Sequence, residues 1–213
     1  MNNLKGFLWI VILLNQILVT TLSASELSPV DFLKSYNEAS GYNSLPHIKE
    51  IEFRFNVIIP KAMDTLKVSR YWRWSPNSDF ITSLDTPESH SKQTVEDKAI
   101  RAKFVNDLYW LMFPRLALQD SNKVEYKWEQ PKILVVKYVD GQGFTPNDTY
   151  KLTFDNANNL VHWSYHKASS QEATRASSWG GYQEFGPLKL STHHLGENGF
   201  QVYFDKIKVK LIK

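Results

Sequence analysis

The sequence contains no cysteine. That excludes disulfides, thiol catalysis, thiolate metal sites and an N-terminal cysteine that could carry a lipid. A chain of 213 residues can do without disulfides, because its own core suffices. Basic clusters are missing too. The 25 Lys and Arg residues are interspersed with 22 acids, for a net charge of +3, and no nucleic-acid footprint results. There is no internal repeat, no low-complexity tract and no interdomain linker. Residues 26–213 therefore read as one domain.

Catalytic signatures are also lacking. Ser177-Ser178-Trp179-Gly180-Gly181 does not have the G-x-S-x-G pattern of a nucleophile elbow. Asp140-Gly141-Gln142-Gly143 reads as a turn without the strand-to-helix context of a phosphate loop. Asp140, Asp148, Asp155 and Glu184 lie near turns and read as turn formers or capping acids. His162 and His166 would chelate a metal from a helix. On a strand they are about 13 Å apart, at roughly 3.3 Å per residue. His193 and His194 are neighbours on a strand and point to opposite faces. The expectation is a non-enzymatic protein with no cofactor and no metal.

What is present begins with residues 1–25. Lys5 precedes the apolar run Phe7–Leu14, and small residues end the segment. This reads as a secretory signal peptide, cleaved near Ala24. The rival reading is an uncleaved anchor, against which Asn15 and Gln16 interrupt the run. The expected location is periplasmic or secreted.

The centre of the chain is Asp148–Lys167. Tyr150, Leu152 and Phe154 alternate with polar residues, Asp155–Asn159 supplies turn chemistry, and Val161, Trp163 and Tyr165 alternate again. Period-two alternation on both sides of a turn predicts a hairpin with one buried face. Before it, Ser28–Asn37 predicts a capped helix, stopped by Gly41. Ile48–Pro60, Thr65–Trp74 and Asp79–Leu84 predict a meander. Arg70, Trp72 and Trp74 share one face of the second strand, and Ser69, Tyr71 and Arg73 share the other. From Thr94 the period becomes helical, with Glu96 and Asp97 in the first turn; Pro114 is expected to end that helix. Val124–Trp128, Ile133–Tyr138, Ser177–Tyr182, Leu188–His194 and Phe200–Leu211 predict further strands. Lys206, Lys208 and Lys210 suggest a solvent-facing edge on the last one. The fold class expected is α+β, a large curved antiparallel sheet with helices covering its concave face.

The aromatic residues Trp72, Trp74, Trp110, Phe113, Tyr150, Phe154, Trp163, Tyr165 and Trp179 are numerous for a thin core. They either fill the space between sheet and helix or line a cavity for an apolar ligand. Tyr109–Pro114 is more apolar than a surface helix requires and suits a lid. Asp148, Tyr150 and Arg73 are the candidates to meet a head group.

Four groups of residues carry a resemblance. They are Tyr109–Pro114, the Gly143-x-x-Pro146-x-Asp148-x-Tyr150 segment with Asp155, Trp163-x-Tyr165, and Trp179–Tyr182 followed by Gly186–Ser191. Together with the order of elements they resemble the LolA/LolB-like lipoprotein-carrier fold. They are closest to a group of uncharacterised exported bacterial proteins placed in that superfamily. The resemblance implies an unclosed β-barrel wrapped around helices, a soluble monomer, and binding of a lipid or acyl chain. Envelope proteins are the implied further partners. Two rivals remain: an interaction or sensing module with a filled core, and a hydrolase with converging titratable groups.

Overall fold

The computed structural model describes residues 27–61, 64–85, 98–119, 123–139 and 147–212. The predicted signal segment, the Thr94 cap and the Asp140–Gly143 turn lie outside them.

The first helix, α1, is Pro29–Ala39. Ser28 caps it: its Oγ accepts a hydrogen bond from the Asp31 N–H at 3.2 Å, and Pro29 occupies the first turn. Phe32, Leu33 and Tyr36 are buried on one face. Gly41 follows with φ +72, so close to the next layer that a Cβ would lie 1.7 Å from the Pro187 carbonyl oxygen. A short 3-10 turn, Tyr42–His47, then leads into the sheet; no periodicity announces it.

β1 (Ile48–Pro60), β2 (Thr65–Ser75) and β3 (Phe80–Ser83) form the expected meander. Phe53 pairs with Trp72 and Ile51 with Trp74. Helix α2 runs Lys98–Gln119. Pro114 does not end it. The helix breaks earlier, at Met112 (φ −139, ψ 31), and Pro114 sits in the first turn of the second segment. Its missing N–H costs little there.

β4 (Val124–Gln130), β5 (Ile133–Tyr138), β6 (Thr149–Phe154), β7 (Leu160–His166) and β8 (Arg175–Ser178) make a five-stranded sheet in that order. β9 (Gly180–Phe185), β10 (Leu188–Leu195) and β11 (Gln201–Leu211) complete a six-stranded sheet of order β3-β2-β1-β11-β10-β9. All strand pairings among the described residues are antiparallel.

The expected single strand Ser177–Tyr182 is thus two strands in two sheets, with Trp179 between them. Just past that change of sheet, inside β9, Gly181 takes φ +66, and a Cβ there would meet His193 Cβ and Thr192 Oγ1 at 3.0 Å. A bridge between Ser177 and Gly196 joins the sheets at this seam.

β11 is not an edge. It lies between β1 and β10. Lys206, at φ 52, is a bulge that reverses the alternation: Val202 and Phe204 are buried before it, Ile207 and Val209 half-buried after it. Lys208 and Lys210 reach across to Glu52 and Glu50, at 3.6 and 2.6 Å.

Both helices lie inside one contiguous core. Phe32 of α1 meets Trp128 and Phe154 edge-on at 5.1 and 4.7 Å. Phe104 of α2 packs on Phe53, Trp72 and Trp74. The sheets curve round the helices without closing.

Candidate functional site: an aromatic cavity between the sheets

A cavity of about 600 Å³ lies between the two sheets and α2. Phe55, Val57 and Val202 form its wall on the six-stranded side. Tyr150, Trp163 and Tyr165 form the wall on the five-stranded side. α2 contributes Val105, Trp110 and Phe113. Trp110 is the hub. Its ring lies 4.7 Å from Trp163 and stacks on Trp179 at 6.2 Å and 11°. Phe113 meets Tyr150 at 4.6 Å. Rings offset or tilted at such distances attract one another beyond the area they bury.

Six of the nine aromatic residues singled out in the sequence meet at this cavity: Trp110, Phe113, Tyr150, Trp163, Tyr165 and Trp179. The other three lie elsewhere in the core. Trp72 and Trp74 are covered by the first turns of α2, through Phe104. Their indole N–H groups donate to Asp107 at 2.8 Å and Asp79 at 3.3 Å. Phe154 lies at the end of β6, beneath Phe32 and Tyr36 of α1.

Arg73 does not face the cavity. Alternation puts it on the opposite side of β2 from Arg70 and Trp72. There its Nη2 donates to Glu52 at 2.6 Å, and Tyr71 donates to the same carboxylate at 3.0 Å. Burial alone would raise the Glu52 pKa; the hydrogen bonds from Arg73 and Tyr71 outweigh it and hold the carboxyl below its ordinary range. Asp148 is buried and committed: it accepts from Tyr165 Oη at 2.8 Å and from the Ala168 N–H at 2.7 Å. Burial first, then that bond and the Asp148 charge, push the Tyr165 phenol up to about 12.

The cavity wall also contains residues that were not foreseen. Arg70 lines it, and its guanidinium is held from behind by the fully buried Asp107 of α2, with Nε 2.6 Å from Oδ2. Asn106 and Trp72 also donate to that carboxylate. The hydrogen bond to Asp107 raises the Arg70 pKa above its ordinary value. The available signal was a basic residue sharing a face with two tryptophans. Arg175 and Phe200 also line the cavity, and nothing local in the sequence marks them.

His194 is completely buried behind the wall, 4.1 Å from Trp179 and 5.7 Å from Trp110. Its ring nitrogens have no well-formed hydrogen bond among the described residues, although backbone groups of Ser178 and Trp110 face it. The Trp110 carbonyl is the one to which Pro114, lacking an N–H, cannot donate. Burial pushes the His194 pKa down to about 3.

No family model and no curated protein matches the sequence. Solved structures do. A LolA superfamily protein from Nitrosomonas europaea aligns over 85% of this chain and 94% of its own, with TM-score 0.51 and 8% identity. A DUF1329 family protein from Desulfovibrio piger covers 85% and 93%, with TM-score 0.48 and 7% identity. A putative outer membrane lipoprotein-sorting protein domain from Vibrio parahaemolyticus covers 85% and 92%, with TM-score 0.44 and 5% identity. The likeness to the Nitrosomonas protein extends over nearly the whole of both partners, and the present chain has the LolA-like fold: unclosed antiparallel sheets around internal helices.

Proposed function

We propose that this protein is an exported, non-enzymatic carrier or receptor for a hydrophobic ligand, a lipid or acyl chain, held between its two sheets. The observation that carries the reading is the cavity itself. About 600 Å³ walled by aromatic and aliphatic side chains is within the usual range for small-molecule sites. A module acting only through its surface has no need of such a void. The polar groups around it favour binding over catalysis, since Asp107, Asp148 and the Tyr165 hydroxyl are all engaged in holding the wall together. Export is supported by the charge, apolar run and small-residue exit of residues 1–25. No helix among the described residues is long and apolar enough to cross a membrane.

Native mass spectrometry of the protein purified from its own envelope tests this reading. A lipid-sized adduct, lost on delipidation and restored by adding the extract back, is expected. Protein that carries no adduct and also fails to take up a fluorescent fatty acid would overturn it.

A further inference from the structure

A greasy void does not specify a head group, but its charges do. Among the described residues two arginines, Arg70 and Arg175, line the cavity, and no aspartate or glutamate does. Arg70 is neutralised from behind by Asp107. Arg175 makes no ion pair among the described residues; its Cζ lies 4.3 Å above the centroid of Phe200, itself part of the wall.

The strand register explains where Arg175 points. It pairs with Tyr165 across β7 and β8, and Ser177 pairs with Trp163. Residues directly opposite in an antiparallel ladder share a face, and here that face is the cavity side. Arg175 is exposed, whereas the next pair inward is buried: Trp163 is 7% and Ser177 2% exposed. In that pair Trp163 Nε1 and Ser177 Oγ have no hydrogen-bond partner among the described residues. A buried donor and a buried hydroxyl left unpaired are each costly. The site therefore runs from Arg175 at the rim, past Trp163, into an aromatic interior, with Ser177 buried behind Trp163 and outside the lining.

We propose that the ligand is an anionic amphiphile. Its carboxylate or phosphate pairs with Arg175, and its chain lies against Trp163 and Trp110. This inference rests on the proposed function and narrows it to one ligand class.

The test is a titration of the delipidated protein with palmitate, hexadecanol and monopalmitoyl phosphatidylglycerol. Palmitate should bind about tenfold more tightly than the alcohol of equal chain length, the effect of one partly exposed charge-assisted hydrogen bond. Added salt should weaken palmitate and leave hexadecanol unchanged. Arg175→Gln should abolish the difference, and Arg175→Lys should keep part of it. Binding of the phosphatidylglycerol at the palmitate level assigns the shared anionic head; its failure to bind assigns the carboxylate. Equal affinities for acid and alcohol, unmoved by Arg175→Gln, would overturn the head-group assignment while leaving the apolar cavity as a binding site. An equal loss for both ligands in Arg175→Gln would also overturn it, by making Arg175 a packing residue over Phe200. If none of the three binds, the proposed function itself fails.

Discussion

His194 offers the most quantitative test of how the cavity wall is built. Folding takes this imidazole out of water and sets it among Trp179, Trp110 and Phe204. Its pKa falls from 6.5 to about 3 because burial penalises the charged ring. The folded value is the lower one, so between the two the unfolded chain holds the extra proton. The stability contributed by the neutral ring is complete above about pH 6.5 and is lost progressively as pH falls toward 3. Between about pH 7.5 and about pH 4.5 the loss from this one group is on the order of 3 kcal/mol, at about 1.4 kcal/mol per pKa unit. His194→Leu removes the titration and keeps an apolar side chain in the space. Urea unfolding of both proteins at the two pH values reads the effect, and subtracting one profile from the other cancels every other titrating group. The wild type should lose on the order of 3 kcal/mol more than the variant. Parallel profiles would refute the reasoning, since they would mean that His194 meets water or a partner that accepts its charge.

Three further outcomes are expected. Trp110→Ala removes the ring that bridges Trp163 and Trp179, and should weaken fluorescent fatty-acid uptake about tenfold while the fold persists; unchanged uptake would dismiss Trp110 as gate and wall. Asp107→Ala leaves Arg70 and the Trp72 N–H without their acceptor, and should cost about 3 kcal/mol in urea unfolding; a cost near zero would mean that α2 is held by packing alone. Gly41→Ala forces a Cβ against the Pro187 carbonyl at a positive φ. It should destabilise the protein by more than about 1 kcal/mol, and an unchanged melting temperature would show that the loop between α1 and β1 yields freely.

What the sequence discloses is what local chemistry decides. The hairpin forms as expected because Asp155 closes its own turn, accepting from the Ala157 and Asn159 N–H groups at 2.9 and 2.8 Å, with Asn158 at φ 60. β1 spans Ile48–Pro60 as its alternation predicts, and Ser28 caps α1. Alternation fixes which side chains share a face, but not what covers that face. Arg70, Trp72 and Trp74 therefore looked alike, although only Arg70 reaches the cavity. Arg73, one residue away, belongs to an ion pair on the far side. Proline rules put the end of α2 at Pro114, whereas the break falls two residues earlier and the ring begins a new turn. The passage from β8 to β9 was hidden because alternation runs on through Trp179 while the chain leaves one sheet for the other.

The course of α2 has a mechanical corollary. Its early turns grip the six-stranded sheet through Arg101, Phe104 and Asp107, which reach Asp79, Trp74 and Arg70. Its later turns grip the five-stranded sheet, where Phe113 meets Tyr150 and the Ala117 carbonyl accepts from Tyr126 Oη at 2.7 Å. The discontinuity at Met112 falls inside the second set, because Tyr109 and Trp110, ahead of the break, already meet Tyr138 and Trp163. Beside Trp110 the sheets are also stitched directly, by the run of chain through Trp179 and by the Ser177–Gly196 bridge. The molecule is thus built like a book with a sewn spine, and α2 is pasted to both covers. Parting the covers means loosening α2 from one of them, while the stitching can stay intact.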